Sequence, residues 1–206
     1  MARPGLILIG AGGHARACID VIEQAGVYAI TGLVGTLDQV DTRHCGYPVL
    51  GTDDALGALA AAHPSALVAA GQIGSSALRR RLYQRAVELG YELPVVIAPG
   101  AYVSPHATLG AGSIVLHGAI VNAGAVVGRN CIINSRALVE HDALVGDHCH
   151  VATGAILNGA ARLGDGGFVG SGSVVKQGVV MGNDCIIGMG LSVRHDLADG
   201  SRFSGK

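Results

Sequence analysis

Tryptophan is absent and only two phenylalanines occur in 206 residues, so there is little from which to build a surface that stacks nucleic-acid bases on aromatic rings. Excess charge is missing too: 14 Lys and Arg against 15 Asp and Glu leave a net charge of −1. No basic face for phosphate backbones or anionic lipid is implied. Long apolar runs are also lacking. The first, Leu6 to Ile9, stops at Gly10, too short for a signal-peptide core or a membrane span. A soluble, cytoplasmic protein with no membrane and no nucleic-acid partner is expected. The cysteines, Cys18, Cys45, Cys131, Cys149 and Cys185, include no C-x-x-C pair, so neither a disulfide framework nor a zinc ribbon reads from them.

What the chain does have is apolar residues, 50% of the total, and 33 glycines. That many glycines without a collagen period must sit at tight turns or phosphate-binding loops. The first 93 residues alternate strands and helices. A strand over Leu6–Ile9 leads through a glycine turn into a helix over about 15–25, closed by Gly26. A second strand is expected near 30–34, a helix from Thr52 or Asp53 to about 62, a third strand over 66–70, and a helix from Ser75 or Ser76 to Leu89. The turn Gly10-Ala11-Gly12-Gly13-His14-Ala15 fits G-x-G-x-x-A, which suggests a Rossmann-like fold holding a phosphate at a helix N-terminus. The acidic residue expected after the second strand of an NAD site is missing, since Gly35 and Thr36 stand there.

Leu93-Pro94-Val95-Val96-Ile97 opens a second regime. From Ile97 to Val193 an aliphatic residue falls at every sixth position, seventeen times in succession, and a small residue usually stands two places before it. Such a period means a triangular parallel β-helix, with three short strands per coil and coils stacked about 4.8 Å apart. The aliphatic residues point inward, and Gly or Asn after them, as at Gly110, Asn122 and Gly128, is expected to ease the corners. Cys131, Cys149 and Cys185 fall in the small interior slot and are expected to be reduced core residues. The residues facing outward are largely apolar (Ile114, Ile120, Val126, Ile132), which argues for covering by identical prisms. The chain therefore divides into residues 1–93, an α/β domain, and 94–206, the β-helix.

Three stretches carry a family resemblance: Ile9-Gly-Ala-Gly-Gly-His14, Ala70-Gly-Gln with Leu78-Arg-Arg-Arg-Leu-Tyr83, and Leu138-Val-Glu-His-Asp142 with His148-Cys-His150. With the glycine-turn domain and the hexapeptide period, they resemble bacterial sugar acyltransferases of the NeuD/PglD type. The resemblance implies a left-handed β-helix, a homotrimer with sites between subunits, and acetyl transfer from acetyl-CoA to the 4-amino group of a nucleotide-linked, most simply UDP-linked, 4-amino-4,6-dideoxy sugar. It also implies His141 as general base with Asp142 beside it, His150 contacting acetyl-CoA, backbone near Ser171 and Met189 lining the donor groove, and Gly12, Gly13 and His14 near the nucleotide sugar, with no metal. Independently of the resemblance, a base that takes the amine proton and a carboxylate that orients it suit acyl transfer. His141 falls at the corner between the walls of Val139 and Val145, and His150 on the remaining wall beside Val151, so a site using both must be shared with a neighbour. His106, His117 and His148 read as solvated corner residues. Two departures from the family stand out: Gly35-Thr36 where an acidic pair is common, and an end at Phe203-Ser204-Gly205-Lys206 where a further segment usually closes the CoA site. O-acetylation of a sialic-acid-like or GDP- or dTDP-linked sugar, a zinc enzyme of the γ-carbonic-anhydrase kind and a non-catalytic binding protein remain as alternatives.

Overall fold

Gly5–Ile9 forms β1, and its last four residues are fully buried. The computed structural model describes residues 3–204. The helix that follows, α1 (Gly13–Ala25), starts two residues before its expected position because Gly12 takes an extended N-cap conformation. Gly26 closes it in a left-handed conformation, its N–H donating to the Ile22 carbonyl. After β2 (Ala29–Val34) comes a hairpin absent from the sequence expectations, β3 (Arg43–His44) and β4 (Tyr47–Gly51), turned at Cys45 and Gly46, both at positive φ. β3 has only two residues, and β4 carries Pro48 and buries only Val49, so no alternating pattern announces them. The helix expected over 52–62 is instead a 3₁₀ turn at Asp53–Ala55 and one α-helical turn, α2 (Leu56–Ala60), in which only Leu56 is buried. A strand β5 (Ser65–Val68) and a helix α3 (Ala77–Glu88) complete this part.

The strands order as β3-β4-β2-β1-β5, parallel except for the hairpin. Because β1 has β2 on one side and β5 on the other, the loops leaving these strands part above it, where open α/β sheets place their ligands. Gly10 lies at the bottom of that crevice with φ +116, and a Cβ there would stand 2.7 Å from the Ala70 nitrogen.

From Val96 onward the chain forms two-residue strands every six residues, stacked in three parallel ladders. The first wall runs through Val96, Ile114, Ile132, His150, Phe168, Ile186 and Arg202; the second through Tyr102, Ile120, Leu138, Ile156, Val174 and Ser192; the third through Thr108, Val126, Leu144, Arg162 and Val180. The inward aliphatics, the small residues and three of the five cysteines form one continuous buried core, and all the cysteines are free thiols. The corners work differently from expectation. From Leu109 to Ile187, positive φ falls three places after each aliphatic residue, as at Gly112, Asn130, Asp142 and His148, not on the residue directly after it. The glycines directly after it are needed for space: a Cβ on Gly110 would lie 2.5 Å from the Gly128 carbonyl carbon of the next coil.

Identical prisms are not what covers the first wall. The α/β part of the same chain does so, joining Val96, Ile114 and Ile132 to Ala15, Ile19 and Ile22 of α1 in one core. Around that core, the fully buried Arg79 of α3 donates to the carbonyls of Val68, Ala70 and Asn130 and to Asn130 Oδ1 at 2.7 Å. His117 and His148, expected to be solvated, belong to the same seam. His117 pairs with Asp20 of α1 at 3.0 Å, and His148 accepts from Asn130 at 2.9 Å and meets the Tyr83 ring edge-on. The other two walls stay open, with Ile120, Val126 and Val180 each about 40% exposed. Among the described residues, no helix is long and apolar enough to cross a membrane.

Candidate active site

His141 and Asp142 occupy the vertex between the second and third walls, directly opposite the wall that carries the α/β domain. Asp142 takes the left-handed turn conformation at φ 58, which an aspartate tolerates, and this folds its carboxylate back to His141 Nδ1 at 3.0 Å. Glu140 holds the turn by accepting the His141 backbone N–H at 2.9 Å, a bond that keeps its own carboxyl below the usual carboxylate range. Both members of the pair are well exposed, with side chains 58% and 69% accessible. The hydrogen bond to Asp142 raises the imidazole pKa above its ordinary value, because it stabilises the charged ring. With Nδ1–H directed at the carboxylate, Nε2 is left as the basic atom.

His150 is placed elsewhere, on the first wall beneath the α/β domain and only 7% exposed. Its Nδ1–H donates to the Gln72 carbonyl at 2.7 Å, and its Nε2 accepts from Asn134 at 3.0 Å, so the neutral ring is satisfied at both nitrogens. Burial drives its pKa down to about 4. His14 lies beside it, ring centroids 6.5 Å apart, its pKa pushed by burial to about 3 and its Nε2 without a partner. Gln72, Asn134 and Arg79 are the residues that sequence reasoning missed in this role. Gln72 and Arg79 lie inside stretches that carried the resemblance, but nothing in the period of the prism says which wall the first domain covers.

The crevice above β1 is a cavity of about 780 Å³ lined by the Gly10–Gly12 turn, Gly35, Thr36, Asp53, Asp54 and Arg81 among others. Gly12 therefore stands at the cavity, whereas His14 turns toward the prism. A Cβ on Gly12 or Gly13 would meet nothing within 4 Å, and neither has a positive φ, so packing and backbone leave that room to something else. Gln39 closes one side, accepting the Thr36 N–H at 3.0 Å and donating to the Ala11 carbonyl at 3.1 Å. Its side chain explains Gly35, where a Cβ would stand 2.6 Å from Gln39 Oε1. Ser171 and Met189 stack one coil apart at the exposed vertex between the first and second walls. A further cavity of about 430 Å³ lies near the His141 vertex, bordered by Asn158, Lys176, Arg194 and His195.

A hexapeptide prism with an imidazole–carboxylate pair at one vertex, joined to a nucleotide-type α/β domain, defines a hexapeptide acyltransferase. The model of the PglD N-terminal domain matches residues 5–86, and that of the hexapeptide repeat of succinyl-transferase matches residues 161–194. Among solved structures, a histidine variant of perosamine N-acetyltransferase from Caulobacter crescentus, in complex with CoA and GDP-perosamine, is 36% identical, with a TM-score of 0.90 over 98% of this chain and 93% of that one. The acetyltransferase domain of PglB from Neisseria gonorrhoeae is 34% identical, with a TM-score of 0.89 over 97% of this chain and 96% of the other. WeeI from Acinetobacter baumannii, at 21% identity and a TM-score of 0.82, shares the fold. No curated protein matches. The chain belongs to the PglD-type family of acetyl-CoA-dependent sugar N-acetyltransferases, whose prism is a left-handed β-helix.

Proposed function

We propose that this protein transfers the acetyl group of acetyl-CoA to the 4-amino group of a nucleotide-linked 4-amino-4,6-dideoxy sugar destined for a surface glycan or glycoprotein, with His141 as general base. The observation that carries the reading is the exposed His141 ring, held through Nδ1 by Asp142 with Nε2 free. The amine nitrogen attacks the thioester carbonyl, Nε2 takes the proton the nitrogen sheds, the C–S bond breaks, and the proton passes to the departing thiolate. Asp142 stabilises the imidazolium that forms in between, consistent with the raised pKa of the ring.

The donor, in this reading, lies along the His141 vertex. Lys176 and Arg194 follow Glu140 in register two and three coils on, about 10 and 14 Å along the axis, and would meet the phosphates of a long donor whose acyl end reaches His141. A neighbouring subunit of a trimer would supply the facing side of the groove with Ser171 and Met189, and the open apolar walls support that assembly. The nucleotide sugar would enter the crevice over β1, its pyrophosphate at Gly12 and Gly13 on the N-terminus of α1. We favour GDP over UDP as the carrier. Asp53 and Asp54 at the crevice can accept from the N1–H and N2–H₂ edge of guanine, and the similar Caulobacter enzyme is in complex with GDP-perosamine.

The test is thiol release from acetyl-CoA across GDP-, UDP- and dTDP-linked 4-amino-4,6-dideoxy sugars. Turnover with the GDP sugar, falling at least about a hundredfold in His141→Ala with the fold intact, is expected. Full turnover in that variant would sink the base assignment, and silence with every amine while a hydroxyl acceptor turns over would replace N- by O-acetylation.

A further inference from the structure

Every corner of the prism can be compared with every other, because the six-residue period puts them in register. Two places after each aliphatic residue from Ile97 to Val193 stands a corner residue with a side chain, such as Pro105, Ala123, Asp147, Gln177 and His195, at sixteen of seventeen positions. The single exception is Gly159. It lies one coil beyond His141 at the same vertex, where Ala160 N–H donates to the His141 carbonyl. Backbone conformation does not require a glycine there, since its φ is outside the left-handed region. Space does. A Cβ on Gly159 would stand 2.6 Å from His141 Nε2 and 2.7 Å from Cε1, well inside contact distance.

The coil on the other side shows the same relation. Gly124 lies one coil before Asp142, and a Cβ on it would collide with Asp142 Oδ1. Its φ of 73 does not by itself demand glycine, since Asp142 and Ala160 adopt similar values at the equivalent corners. The imidazole and its carboxylate thus lie flat along the vertex, each against a glycine of an adjacent coil.

We propose that Gly159 is a positioning residue for acetyl transfer: its missing side chain is the seat on which the His141 ring rests with Nε2 exposed and Nδ1 on Asp142. This rests on the reading of His141 as the base. The chemistry needs Nε2 within hydrogen-bond reach of the attacking amine, and a side chain at 159 would push the ring off Asp142 and crowd the basic atom.

The experiment is Gly159→Ala, made in the full chain. Because the His141 side chain is exposed and lies outside the packed core, the ring rather than the coil is expected to give way, so thermal stability and assembly are expected to match wild type. The expected kinetic result is a fall in kcat of roughly 10–100-fold with KM for both substrates within about twofold. A readout independent of turnover is the NMR titration of the His141 Cε1–H, expected to move to lower pH as the bond to Asp142 is lost. Unchanged kcat with an unchanged titration overturns the proposal. So does a rise in KM for acetyl-CoA with kcat and titration unmoved, which would make the glycine a clearance for the donor. If His141→Ala keeps full turnover, the base assignment fails, while the titration still reports whether Gly159 seats the ring.

Discussion

At the scale of single residues, the phase of the prism did more than any motif. A histidine two places past an inward aliphatic must stand at a corner, so the exposure of His141 and the proximity of Asp142 were legible in the sequence. The hydrogen bond between them then makes a sharp prediction about pH. Asp142 raises the ring pKa, so the neutral base appears only as pH rises through a value above the ordinary one for histidine. Asp142→Asn removes the charge that favours imidazolium, and the acid limb of kcat/KM should shift to lower pH while the plateau falls by about tenfold. A limb that stays in place would mean that the two side chains are not coupled. His150 shows where residue-level reading runs out. Its place on the first wall was legible, but its partners Gln72 and Asn134 come from the docking of another domain and from a neighbouring strand, and no periodicity encodes the first of these.

At the scale of elements, those with a buried stripe were read correctly and those without one were not. β1, β2, α1, α3 and all three prism walls carry enough apolar residues in period to declare themselves. The β3–β4 hairpin and the segment around α2 bury one residue each, Val49 and Leu56, so local turn chemistry decides them. α3 also carries a feature that no pattern would flag, an arginine on its buried face. Arg79 is inaccessible to solvent, and burial lowers its pKa to about 10 while its guanidinium holds four acceptors on both sides of the domain seam. Arg79→Ala would leave those acceptors without a donor and open a cavity, costing about 3 kcal/mol or more and lowering Tm by roughly 10 °C. Arg79→Lys should recover only part, since a single ammonium cannot reach acceptors in both domains. A Tm for Arg79→Ala within a degree of wild type would show that the seam is held by the apolar core alone.

At the scale of the whole molecule, the crevice over β1 and His141 lie on opposite sides of one chain. The α/β domain covers the first wall, and the vertex between the second and third walls is the part of a triangular prism farthest from it. On the proposed reading, a sugar held in the crevice would reach the His141 of its own subunit only if the domain left a core that includes Ile114 and Ile132. Under the proposed function the base then comes from a neighbour, which would make the assembly a condition of the chemistry. The consequence can be measured by mixing two dead proteins. His141→Ala lacks the base but keeps the crevice, while Gly12→Trp fills the crevice, where a side chain meets no protein atom, and keeps the base. Co-expressed in equal amounts with different tags, they should form trimers in which one interface in four pairs an intact crevice with an intact His141, restoring about a quarter of wild-type activity. Two inactive proteins that stay inactive when isolated in one mixed trimer would place crevice and base in the same subunit, and would require the α/β domain to swing off the wall on which it is packed.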